Sequence, residues 1–152
     1  MNVVLVEPQI PPNTGNVARL CAATKVSLHL VGSLGFRLTD RYLKRAGLDY
    51  WDYVQLERHL SLRNYLAEIS TADVFFFSKK GEESYVNAGF HGGSSLVFGS
   101  ETKGLPDWVF EEHKDRIWRI PIFEPRVRSL NLSSSVSIVL YEALRQSGRL
   151  GP

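Results

Sequence analysis

The chain has 152 residues, 43% of them hydrophobic and 22% charged, with a formal net charge of +2. That is enough to bury the core of one domain, so residues 1–152 read as a single soluble folded unit. No run approaches the roughly 18 consecutive apolar residues of a membrane span. The amino-terminal MNVVLVEPQIPPN carries no basic leader before its short apolar run, which speaks against a secretory signal. A single cysteine, Cys21, excludes an intrachain disulfide and a cysteine-cluster metal site. Set between Leu20 and Ala22, it reads as a buried, inert thiol. These features fit a cytoplasmic protein.

Taken in chain order, short apolar runs alternate with helical patterns. Asn2–Val6 reads as a buried strand, 14–23 as a helix, and Ser27–Val31 as the next strand. Residues 40–46 follow as a helix, 53–56 as a weaker strand, and 61–69 as a helix. Strands are expected at 73–77, Ser95–Phe98 and 116–120. The final helix, 131–146, has the clearest pattern: Leu132, Val136, Val139, Leu140, Ala143 and Leu144 fall on one face. Asn131 and Ser133 suit its start and Gly148 its end. The alternation implies an α/β fold with a mostly parallel sheet flanked by helices.

The net charge says little about nucleic acid, but its distribution is uneven. Arg37, Arg41, Lys44 and Arg45 crowd one segment, and Arg126 and Arg128 another. Such clusters can neutralise phosphates. Arg41, Lys44 and Arg45 taken alone fit the solvated face of a helix equally well.

Three loops follow predicted strands, at the edge where open α/β sheets hold ligands. In EPQIPPNTGNVAR, Pro11 and Pro12 stiffen the chain, and Asn13 or Thr14 can cap the next helix. Asn16 and Arg19, at i and i+3, can point from one helix face towards the same pocket. A capped helix with a surface arginine would look the same. In LVFGSETKGLP, Gly99 and Gly104 frame a small polar loop suited to a flat, uncharged ligand such as adenosine. Glu101 there can orient a hydroxyl or a backbone amide. The loop matches neither the G-x-G-x-x-G fingerprint nor the P-loop, which argues against NAD and ATP chemistry. The third loop gathers Arg128, Ser129 and Asn131 at the entry of the final helix, with Tyr141 further along it. Most of the neighbouring serines read as caps and packing residues, and Tyr141 alone as a core or interface aromatic.

Together and in this order, PPNTGNVAR, LVFGSETKGLP and the segment holding IPI, RSLNLS and VLYEALRQ resemble the three motifs of SPOUT methyltransferases. GFRLTDRYLKRAGLDY resembles one subgroup, the tRNA (cytidine/uridine-34)-2'-O-methyltransferases. The resemblance implies a C-terminal deep trefoil knot, which general connection rules would not predict. It implies a homodimer that binds S-adenosyl-L-methionine, releases S-adenosyl-L-homocysteine, uses no metal and acts on the tRNA anticodon arm. By position, the cofactor site comprises Phe77, Gly99, Ile120, Ser129 and Leu130. Arg19 and Tyr141 occupy positions used for tRNA and catalysis, while Asn16, Arg41, Lys44 and Arg45 fall on the substrate side. Two residues depart from the pattern: Ser100 where relatives often have Pro, and Ser134 where N-L-S-N would place Asn.

Methyl transfer to a ribose hydroxyl is an in-line displacement that needs alignment and removal of one proton. Arg19 is a poor proton acceptor. It suits a clamp on the target phosphate or ribose, with Tyr141 hydrogen-bonding the 2'-oxygen and Glu101 a candidate acceptor. Two alternatives stand beside this reading. One is an enzyme acting on another tRNA or rRNA ribose; the other is a non-catalytic, cofactor-binding RNA assembly protein. The match over 36–50 favours the wobble nucleotide.

Overall fold

The apolar run at Asn2–Val6 forms β1, and its four residues from Val3 onward are buried, as a strand covered on both faces requires. A computed structural model describes residues 1–39, 41, 43, 45 and 50–151. Within it β1 is followed by α1 (Pro11–Thr24), β2 (Ser27–Val31), β3 (Leu56–His59) and α2 (Leu62–Ala67). Then come β4 (Val74–Phe77), β5 (Glu83–Ser84), β6 (Ser95–Phe98), α3 (Asp107–Glu112), β7 (Ile117–Arg119) and α4 (Leu132–Gln146). The seven strands form one sheet in the order β3-β2-β1-β6-β4-β7-β5, and every pairing is parallel.

The two-residue period of a strand divides the core. Val3 and Leu5 face the side covered by α1 and α4, where they meet Val17, Cys21, Val136 and Leu140. Val4 and Val6 face the other side, with Leu62 and Tyr65 of α2 and Val109 of α3. Cys21 lies in the first cluster, and burial pushes its thiol up to about 12, which makes it inert.

Four sequence expectations need correction. The strand expected at 53–56 is a 3₁₀ turn at Trp51–Tyr53 followed by β3. Among the described residues β3 is an edge strand paired with β2 alone, so its polar ERH escapes a search for apolar runs. The helix expected at 61–69 is shorter, Leu62–Ala67, with Ser61 as its cap. The six-residue α3 and two-residue β5 carry too little periodicity to be read at all. Of the helix expected at 40–46, Arg41, Leu43 and Arg45 are helical and Leu43 is fully buried, while Lys44 lies outside the described residues.

The fourth correction concerns the start of α1. Asn13 and Thr14 sit inside the helix, which opens at Pro11 behind Ile10, and Ile10 offers no side-chain cap. Prolines suit this first turn because its N–H groups have no helical acceptor. Donors just ahead of the helix, and one side chain in its first turn, are met from a distant loop instead. The Glu101 carboxylate accepts from the backbone N–H of Gln9 (2.8 Å) and of Ile10 (3.1 Å), and from Asn13 Nδ2 (3.2 Å). Its negative charge also opposes the positive end of the helix dipole. Glu101→Ala strips all three donors of their acceptor and is expected to destabilise the fold by about 1–3 kcal/mol. Urea unfolding should show a lower midpoint with an unchanged slope. Glu111→Ala, at an exposed position on α3, should leave the midpoint unmoved.

Candidate active site

Three loops leave the carboxyl ends of β1, β6 and β7 and enclose a cavity of about 610 Å³, within the range of small-molecule sites. Phe77, Gly99, Ile120, Ser129 and Leu130 all line it. Phe98, Leu105, Ile122 and Leu132 add apolar wall, and Asn13, Glu101, Arg128 and Asn131 add polar groups.

The β6 loop is tight for local reasons. Ser100 and Gly104 exchange backbone hydrogen bonds (3.2 and 2.9 Å), and the Ser100 hydroxyl accepts from the N–H of Lys103 (3.1 Å). Ser100, a departure from the family pattern, is thus a working part of the turn. Gly104 holds φ +73, and a Cβ on Gly99 would stand 2.1 Å from the Gly104 carbonyl carbon. Any side chain at 99 would therefore force the loop open.

Asn131 caps α4: its Oδ1 accepts from the N–H of Ser133 (2.9 Å) and of Ser134 (3.3 Å). Its Nδ2 donates to Asn13 Oδ1 at 2.9 Å, and Asn13 Nδ2 in turn donates to Glu101. One chain of hydrogen bonds thus joins the third, first and second loops. Ser134, the other departure, contributes its backbone amide to the cap.

Other expected site residues lie elsewhere on the molecule. Asn16 and Arg19 are exposed and do not line the cavity of a single chain. The α1 face that does line it carries Asn13, one turn earlier. Arg19 reaches Tyr50, donating to its hydroxyl at 3.4 Å with the guanidinium carbon 4.8 Å from the ring centre. Tyr141 is 48% exposed and also lies off the cavity. Arg41 and Arg45, four apart on a helix, are exposed. Lys79 and Lys80, which sequence reasoning missed, line the cavity just beyond β4. Their signal was available, since they follow an apolar strand at the same sheet edge.

Among known proteins, the model of the SpoU rRNA Methylase family matches residues 1–141. A tRNA (cytidine(34)-2'-O)-methyltransferase of Burkholderia cenocepacia is 46% identical over 151 residues, covering 97% of this chain and 96% of that one. A tRNA (cytidine(34)-2'-O)-methyltransferase of Escherichia coli is 42% identical over 152 residues, covering 99% and 96%. A solved structure concerned with the 2-OH methylation of C/U34 on tRNA is 44% identical with a TM-score of 0.87, covering 95% of this chain and 94% of that one. An AdoMet-bound rRNA methyltransferase from Sinorhizobium meliloti is 25% identical with a TM-score of 0.83, covering 95% of this chain and 55% of its own. With a family match over almost its whole length and full-length relatives above 40% identity, the chain belongs to the SpoU rRNA Methylase family.

Proposed function

We propose that this protein transfers a methyl group from S-adenosyl-L-methionine to the ribose 2'-hydroxyl of the wobble nucleotide, C or U34, of tRNA. The observation that carries the reading is the single cavity onto which all five expected cofactor residues converge. Its composition fits the cofactor: apolar side chains for a flat adenine, and loop backbone with a few polar groups for the rest. The names of full-length relatives, tRNA (cytidine(34)-2'-O)-methyltransferases, support the same substrate.

In this reading Phe77, Gly99, Ile120, Ser129 and Leu130 hold the cofactor, which supplies a sulfonium-activated methyl group. The Glu101–Asn13–Asn131 hydrogen bonds fix the loops before substrate arrives, so alignment costs little at the moment of reaction. Glu101 is committed to α1, which makes it a structural anchor and a poor choice for proton acceptor. Arg19 clamps the target nucleotide, and Tyr141 hydrogen-bonds the oxygen being methylated. An activated methyl donor needs no Lewis acid, so the reaction proceeds without metal.

Arg19 and Tyr141 stand off the cavity of one chain, and this supports action as a homodimer whose second copy completes the substrate side. Apolar side chains exposed beside the site give that copy a surface: Ile138 and Tyr141 on α4, and Val127 and Phe123, the last 95% exposed. The C-terminal segment, in the same reading, forms the deep trefoil knot of its family, with the loop before α4 threaded against the β6 loop. The whole chain then acts as one catalytic domain in the cytoplasm, where it meets the tRNA anticodon arm. No helix among the described residues is long and apolar enough to cross a membrane.

Calorimetry should detect S-adenosyl-L-methionine and its demethylated product, and chelation should leave radiolabelled transfer to tRNA unchanged. Cofactor binding without any transfer would leave the non-catalytic assembly protein as the better reading. Light scattering should give a dimer, and an active monomer at working concentration would remove the need for a second copy. Arg19→Ala should leave cofactor affinity nearly intact and lower single-turnover transfer at least ~10²-fold, with Arg19→Lys restoring only part. Near-normal transfer in Arg19→Ala would make it a surface arginine stacked on Tyr50. Replacing Arg41 and Arg45 by Gln should weaken tRNA binding and reduce its salt slope by roughly 0.7–0.9 per lost phosphate contact. An unchanged slope would return them to the solvated face of a helix.

A further inference from the structure

On the α2 side of the sheet, away from the cavity, the fold assembles a group that sequence spacing did not reveal. His29 lies on β2, directly across from Glu57 on β3, and His59 follows Glu57 by two residues, so all three project from one face. His29 Nδ1 and His59 Nε2 are 2.9 Å apart, and Glu57 Oε2 lies 3.8 Å from the first and 3.9 Å from the second. We propose that His29, His59 and Glu57 form a binding site for a divalent transition-metal ion such as Zn²⁺.

The spacing fits a small ion. Tetrahedral Zn²⁺ at its usual bond lengths holds neighbouring ligand atoms about 3.3 Å apart, and each observed separation lies within about 0.6 Å of that. A plain hydrogen bond between the two imidazoles would leave Glu57 without a role. Its oxygen is too far from either nitrogen for a hydrogen bond, yet sits beside both. A cation drawn among the three atoms uses all of them.

The surroundings orient the ligands. Glu68 Oε2 lies 3.9 Å from His59 Nδ1, on the side of the ring away from Nε2, and an approach of about 1 Å would let it accept from Nδ1–H as Nε2 binds metal. Tyr65 packs on both rings, at 5.0 Å from His59 and 5.1 Å from His29. Its own hydroxyl is fixed by Ser95 Oγ at 2.8 Å. His29 is buried, and its Nε2 is sealed without a partner, so the chemistry of this ring is confined to Nδ1.

Two imidazoles and one carboxylate select Zn²⁺, Co²⁺ or Ni²⁺ over Mg²⁺ and Ca²⁺, which favour oxygen. The Glu57 side chain is 63% exposed, so solvent can supply the remaining ligand. A bound ion would tie the edge strand β3 to β2 and, through Glu68, to the end of α2. The site does not depend on the methyltransferase reading, because none of its residues lines the cavity.

The test titrates the full chain with Co²⁺, read by ligand-field absorption, and with Zn²⁺, read by competition with a chromophoric chelator. One site per chain is expected, with the intense bands of low-coordinate cobalt, and Zn²⁺ should raise the melting temperature. His59→Gln and Glu57→Gln should each weaken binding at least ~10-fold, and Glu68→Gln, acting through His59, about 10-fold. His91→Gln, which removes a histidine paired with Asp73 elsewhere, should bind as the wild type does. Glu57 is exposed, so its variant reports on the site even if His59→Gln folds poorly. Wild-type affinity in Glu57→Gln, equal loss in His91→Gln, or a cobalt spectrum unchanged from the aqua ion would each overturn the proposal.

Discussion

The arrangement of the site rests on one charged group in a fixed place. Glu101 has only acceptors to offer, so Asn13 must turn its NH₂ towards it. That leaves the Asn13 carbonyl facing α4, where Asn131 can answer only with its own NH₂. Asn131 then has its oxygen left for the first amides of α4, which is what a helix start requires. Each orientation forces the next. The ionised carboxylate thereby sets the polarity of a three-residue relay and brings residues 13, 101 and 131 into one arrangement. A neutral amide at 101 could present its NH₂ instead of an acceptor, and the direction of the relay would no longer be determined.

The relay works because the elements around it are rigid. Two of the loops spring from β1 and β6, neighbouring parallel strands buried on both faces, and the third from β7, beyond β4; α1 and α4 pack together over β1 and β6. The β6 loop cannot relax outward, since Ser100 and Gly104 clip its ends and Gly99 leaves no room for a side chain. Packing, turn geometry and polar pairing all specify the same shape. Such agreement across levels gives the cavity one defined shape.

Much of this was legible in the residues. β1, β2 and β6 were read to their observed ends because each is a short, mainly apolar run inside a parallel sheet, bounded by polar or turn residues. The five residues that motif position assigns to the cofactor all line one cavity. The edge strand β3 was misplaced because its LERH is half-exposed and carries no apolar signature. The cap of α1 could not be found by looking next to the helix, since its acceptor lies 91 residues away from Ile10. The group of His29, Glu57 and His59 failed to appear for a related reason: only the register of β2 against β3 sets His29 beside Glu57. Local pattern carries secondary structure well; contacts between strands far apart in sequence are not written in any one window.

The order of the strands bears on synthesis. β1 is made first, yet one of its two neighbours in the sheet is β6, and its α1 side is covered in part by α4. A nascent chain that has finished β3 holds β1 paired on one side only, with its other edge unpaired and apolar. Such an intermediate is an aggregation hazard until residues 95–98 emerge. The last helix also closes the relay through Asn131, so a ribosome stalled before residue 131 would hold a chain with an open core and an unfinished pocket. Closure of the core and completion of the pocket therefore both await α4.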